Sequence, residues 1–215
     1  MRNKGISSAV PLLFTIIGYS LNGSFSIYRF VKLETLMEKA LFFIMFVTYI
    51  IWSVWEIRIT LGELKLEKAE KDSHTLEFAG IIKNFMLVSA LAGTTTIYIT
   101  SWSVGMCIMV VGILLRVSAI RSIGSSYSHR VRELVGKPVT TGPYKMIRHP
   151  SYMGTLLIHA GLVIILFNIF SLIGLVLWYV NAIYRIGVEE KQLFKNQYYE
   201  EYAKGTRYKL LPFVW

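Results

Sequence analysis

Six apolar runs set the limits on how this chain can fold: roughly 8–28, 38–58, 80–99, 102–120, 152–168 and 171–186. Each approaches the ~20 residues an α-helix needs to cross a hydrocarbon core, and only the last two fall short. Hydrophobic residues make up 54% of the sequence and the mean hydropathy is +0.50, outside the usual range of a soluble domain. The expected fold is an all-α integral membrane protein with about six (five to six) transmembrane helices. Only Asn168 to Phe170 separates the last two runs, so these are expected to form a tight antiparallel hairpin, tilted or reaching part of the way across. Arg2 and Lys4 precede the first run as they would in a signal peptide. That run continues to about Tyr28 without a small-residue cleavage site, and reads as a retained helix.

Charge sets the expected orientation. The link between Ile99 and Trp102 and the turn near Asn168 carry no basic residue, and both are assigned to the outside. The N-terminus, the 59–79 loop, the 121–150 loop and the C-terminal tail then face the cytoplasm, with 18 of the 23 basic residues on that side. Arg29, Lys32 and Lys39 dissent. Topology and attraction to anionic lipid headgroups account for the net charge of +10, so membrane lipids are expected partners and nucleic acid is not. The single cysteine, Cys107, can form no intrachain disulfide. His74, His129, His149 and His159 lack the spacing of metal ligands, and no metal is expected.

The two halves differ in texture. Residues 1–100 read as transmembrane scaffold that faces the acceptor, and residues 101–215 as the part that carries chemistry. The first half includes a charged linker, LGELKLEKAEKDSHTLE, in which Glu63, Glu67 and Lys71 are spaced four apart. It reads as a solvated or surface-lying helix. In the second half Arg116 falls within a span, with two fates open: snorkelling to the interface, or pairing with an anionic ligand.

Two polar constellations stand out. The first is VTTGPYKMIRHPSYMG, Val139 to Gly154, where Tyr144, Lys145, Arg148, His149 and Tyr152 crowd between Gly142-Pro143 and Pro150. Ionisable groups at the mouth of an apolar helix are costly unless used, so the cluster reads as a ligand pocket. The second is YRIGVEE, in which a continuing helix puts Arg185 and Glu189 on one face, close enough to pair. Beyond it lies an amphipathic tail ending LLPFVW. It is expected to fold back under the membrane face, with Phe213 and Trp215 near the interface, where it can close a pocket from below.

Together, GPYKMIRHPSYMG, RIGVEE and YYEEYAKGTRYKLLPF resemble the isoprenylcysteine carboxyl methyltransferase family, from about Val111 to the end. The resemblance implies S-adenosyl-L-methionine as cofactor, bound on the cytoplasmic side. It implies that Val139, Tyr144, His149, Pro150, Ser151, Tyr152 and Glu189 contact that cofactor. Lys137 and Pro138 fall where the family has further contacts, Arg132 stands for a polar contact upstream, and Glu190 joins Glu189. Arg185 matches the arginine that holds the acceptor carboxylate, and Arg185 with Glu189 forms the implied catalytic pair.

Such a cofactor carries a sulfonium, an ammonium, a carboxylate and an adenine, and the cluster offers acidic, basic and aromatic groups to match. A carboxylate acceptor is already ionised at neutral pH, so no general base is needed. Alignment and water exclusion would supply the catalysis. The expected substrate is a lipophilic acceptor entering from the bilayer, prenylcysteine-like and methylated on oxygen. The expected location is the cell membrane in a prokaryote or the endoplasmic reticulum in a eukaryote, with the active site facing the cytoplasm. The RHPxY pattern also occurs in membrane sterol reductases that use NADPH, and the double glutamate in phospholipid N-methyltransferases. These alternatives stay open, as does a scaffold without catalysis.

Overall fold

The computed structural model describes residues 6–63, 75–93, 96–124, 127–129 and 133–211. All regular structure in these residues is helical: α1 (Ile6–Lys32), α2 (Leu36–Glu63), α3 (Thr75–Ala92), α4 (Ile99–Ile123), α5 (Pro150–Ile165), α6 (Ile169–Leu193) and α7 (Gln197–Gly205), with a 3-10 turn at Gly142–Lys145. Each of the six apolar runs lies largely within one of α1 to α6. Among the described residues, three stretches, Leu36–Ile59, Ile99–Ile123 and Ile169–Leu193, are long and apolar enough to cross a membrane, while Phe78–Ala92 and Pro150–Ile165 are shorter. Val104, Val110, Val111 and Leu114 on α4, and Val176, Leu177 and Val180 on α6, all face outward. Apolar faces of this extent are stable in lipid and not in water, and the protein is a helical membrane protein.

Local chemistry fixes the helix ends. Pro150 opens α5 at a position where its missing N–H would have no intrahelical partner. Asn168 caps α6 through its side chain, accepting from Ser171 N at 2.9 Å, while Ser171 Oγ receives the Asn168 amide in return. The link between α5 and α6 is therefore residues 166–168, two residues earlier than the sequence placed it. These two helices pack less on each other than on other partners: α5 lies chiefly against α4, and α6 against α3.

Glycine lets α4 and α5 touch. A Cβ on Gly112 would lie 2.7 Å from the Gly154 carbonyl oxygen, and one on Gly161 would lie 2.3 Å from that of Gly105. Backbones at this spacing need small residues at both crossings, as is common between helices in membranes. The contact sets Arg116, one turn beyond Gly112, against the first turn of α5. Around it the buried core collects Phe42, Met45, Met86, Met109, Ile158 and Leu166 from α2 to α5 and the α5–α6 link. Arg132, the linker at 64–74, and Pro212, Phe213 and Trp215 lie outside the described residues.

Candidate active site

The polar site gathers where the start of α5, the end of α6 and the tail meet. Backbone pairing builds its floor: Arg148 N donates to Tyr208 O at 2.9 Å and His149 N to Lys209 O at 2.8 Å. Buried Glu190 locks this arrangement. Its Oε1 accepts from Arg148 Nε at 2.7 Å and lies 3.3 Å from His149 Nε2, while Lys209 Nζ is 3.0 Å from its Oε2. Arg148 Nη1 also donates to the carbonyls of Thr206 and Arg207. Glu190 thus ties α6, α5 and the tail together, and three partners offset the cost of burying its charge.

Glu189, one residue earlier, is more open, with its side chain 29% exposed. Tyr152 OH donates to its Oε2 at 3.1 Å. Arg185, buried at 4% exposure, reaches the same hydroxyl with Nε at 3.4 Å and donates Nη2 to His129 O at 2.7 Å. Arg185 and Glu189 therefore share a helix face as expected, and Tyr152 stands between them as a common partner. The His149 ring meets that of Tyr152 edge-on, with centroids 5.9 Å apart.

Beside this centre lies an aromatic cluster of Tyr144, Tyr199 and Tyr202 with Ala119, edged by Val139 and Leu134. Tyr202 OH donates to Tyr144 O at 2.6 Å. Burial raises the Tyr144 and Tyr199 hydroxyls far above their ordinary titration range and pushes Tyr202 up to about 12, so all three stay protonated donors. Asn196 holds the preceding loop against α7, donating its side chain to Leu134 O and Gly136 O. Lys137 is exposed and sits over the Tyr198 ring, 5.6 Å from its centroid, while Pro138 and Val139 are half-buried.

Arg116 is buried and finds its counter-charge within the bundle. Glu56 of α2 holds it through both carboxylate oxygens, Arg116 Nε to Oε1 and Nη2 to Oε2 at 2.8 Å. Its Nη1 donates to Ser151 Oγ at 2.6 Å and Ser151 O at 3.1 Å. Ser151 Oγ also lies 3.2 Å from Tyr127 OH, which is 3.4 Å from His129 Nδ1. An arginine buried in an apolar bundle needs a counter-charge, and the nearest one came from a distant part of the chain.

Of the residues singled out from the sequence, Tyr144, His149, Pro150, Ser151, Tyr152, Arg185, Glu189 and Glu190 come together around the junction of α5, α6 and the tail. Val139 packs on the neighbouring tyrosine cluster, Lys137 sits over Tyr198 of α7, and Pro138 lies half-buried between them in the loop. Sequence reasoning missed Glu56, Tyr127, Lys209 and the clamp role of Arg148. Glu56 did leave a signal, as an acidic residue near the end of an apolar run.

The fold and site define a class: a helical membrane protein with an arginine–tyrosine–glutamate centre at the end of a helix pair, backed by a tyrosine cluster. Residues 104–195 match the model of the isoprenylcysteine carboxyl methyltransferase family. A probable protein-S-isoprenylcysteine O-methyltransferase of Oryza sativa subsp. indica is 35% identical over 119 residues, covering 52% of this chain and 61% of the relative. Protein-S-isoprenylcysteine O-methyltransferase B of Arabidopsis thaliana is 39% identical over 104 residues, covering 45% and 52%. The Schizosaccharomyces pombe protein-S-isoprenylcysteine O-methyltransferase is 35% identical over 136 residues, covering 60% and 52%. The chain spans about half to three fifths of the length of these relatives.

Proposed function

We propose that this chain transfers a methyl group from S-adenosylmethionine to the carboxylate of a lipophilic, prenylcysteine-like acceptor. The observation that carries the reading is the meeting of Arg185 and Glu189 on the Tyr152 hydroxyl, within the family segment. S-adenosylmethionine, when bound, supplies an electrophilic methyl group and leaves as S-adenosylhomocysteine. The residues present suit it. Tyr199 OH and Gln192 Oε1 are buried with no hydrogen-bond partner among the described residues, and the tyrosine cluster offers aromatic faces. Val139, Tyr144, His149, Pro150, Tyr152 and Glu189 would hold it, with Lys137, Pro138 and Arg132 along the loop. Ser151 and Glu190 would act mainly through the frame they fix.

Arg185 would orient the acceptor carboxylate, which arrives ionised and needs no base. Glu189 offers a negative charge toward the cationic donor. The closed floor formed by residues 148–149 and 206–209 would keep water from the nucleophile. On this reading residues 1–100 form the acceptor side and 101–215 the methyltransferase core. The chain would cross the membrane about six times, with the last two spans a hairpin, and the site and tail would face the cytoplasm. The host membrane is the cell membrane in a prokaryote and the endoplasmic reticulum in a eukaryote.

Two measurements test the proposal. Calorimetry of the purified protein should show S-adenosylhomocysteine binding below about 100 µM, an ordinary cofactor affinity. Membranes given radiolabelled donor should yield alkali-labile label, the mark of a methyl ester. Alkali-stable label in lipid would point to amine methylation instead. Quenching of the protein's fluorescence by NADPH, with no binding of S-adenosylhomocysteine, would point to a reductase.

A further inference from the structure

We infer that Glu56, in the half of the chain outside the family segment, is the positioning residue that orients the Arg185 guanidinium for methyl transfer. The inference rests on the methyltransferase reading above. Among the contacts that hold Arg185 in the site are Tyr152 OH at 3.4 Å and His129 O at 2.7 Å. Both trace back to Glu56. On one side, Glu56 grips Arg116 through both oxygens, and Arg116 Nη1 fixes Ser151 by side chain and carbonyl, next to Tyr152. On the other side, Glu56 Oε2 lies 3.7 Å from His129 Nε2, while Tyr127 bridges Ser151 Oγ to His129 Nδ1. A carboxylate on α2, outside the Arg185–Tyr152–Glu189 centre, thus holds two of the groups that aim Arg185.

A counter-charge kept only to neutralise Arg116 could sit at any angle to it. This one takes a two-pronged geometry that leaves Nη1 free to reach α5. Its surroundings support a fixed position, since Trp52 and Ser53 on α2 are also buried and Gly112 and Gly154 hold α4 hard against α5. Misplacing a clamp such as Arg185 by a fraction of an ångström lowers turnover, while the donor pocket shares only Tyr152 with this network and keeps its other contacts.

The test is a double-mutant cycle of Glu56→Gln with Arg185→Lys on the full chain in membranes. Glu56→Gln alone should lower kcat by about 10- to 100-fold while S-adenosylhomocysteine affinity, by calorimetry, stays within about twofold. In the Arg185→Lys background the same change should cost less than about threefold, because the group it positions is already altered. Additive losses would overturn the inference. Glu56→Asp keeps the charge, and hence the fold, but shortens the reach by one methylene, and it should also lose turnover. Full activity in Glu56→Asp would mean that charge alone is needed and would equally overturn it. If the unaltered chain transfers no methyl group, the methyltransferase reading falls, and placement is still read by phenylglyoxal modification of Arg185 followed by peptide mass. Glu56→Gln should speed that modification by about fivefold or more as the guanidinium loses its fixed partners, and an equal rate would count against any positioning role.

Discussion

At the scale of single residues, Arg185 and Glu189 should separate acceptor from donor. Arg185→Ala is expected to lower kcat/KM by about 100-fold or more while S-adenosylhomocysteine still binds, and Glu189→Ala to weaken that binding by about tenfold, as loss of a charged contact does. Parallel calorimetry and turnover assays check both. His129 sets a pH limit on stability. Burial first, and the Arg116 charge second, press its pKa down to about 4, with Arg185 and Lys83 adding to the effect and Glu56 opposing it. In the unfolded chain it returns to about 6.5. Between these values the unfolded state binds the extra proton, so stability is full above about pH 6.5 and falls as pH drops toward 4, by at most ~1.4 kcal/mol per unit. The thermal midpoint should fall between pH 7 and pH 5, and His129→Gln should flatten that fall. Arg185 and Glu189 were legible in the sequence because an i, i+4 spacing after an apolar helix constrains geometry by itself. The shared partner Tyr152 was legible only as part of a motif, since no local rule says which way its hydroxyl points.

At the scale of elements, the α4–α5 contact and the tail clamp carry the site. Gly154→Val would force side-chain atoms into Gly112 O and Arg116, costing about 1–3 kcal/mol or more as overpacking does. It should also displace Ser151 and lower turnover, and thermal unfolding alongside an activity assay reads both effects. Gly23, which has open space where a Cβ would go, is the matching control and should accept alanine with little change. Arg148→Ala would leave Glu190 buried beside fewer partners and free the carbonyls of Thr206 and Arg207, a loss of about 3–5 kcal/mol for a broken buried pair. Limited proteolysis should then cut the tail near Thr206 faster. The helices themselves were legible, because apolar runs of this length admit little else in a membrane. Which helix packs on which was not, since α5 and α6 are neighbours in sequence yet find their main partners in α4 and α3.

At the scale of the whole molecule, the loop at 133–141 and the segment at 206–209 meet the start of α5 and the end of α6, which puts them on one side of the bundle. Single cysteines at Lys137 and Lys204 should be labelled from the same side of sealed vesicles, and one at Phe167, in the α5–α6 link, from the other. Labelling of all three from one side would refute the hairpin across the membrane. The sequence by itself determined a helical membrane chain, the segment that matches the family model and the two polar constellations, because hydropathy, helical spacing and motif are local properties. Tertiary structure alone decided that Glu56 answers Arg116, that Glu190 serves as a clamp while Glu189 stays open, and that Tyr152 joins Arg185 to Glu189. Those outcomes depend on which charges meet when helices distant in sequence are packed in a medium that leaves few buried charges unpaired.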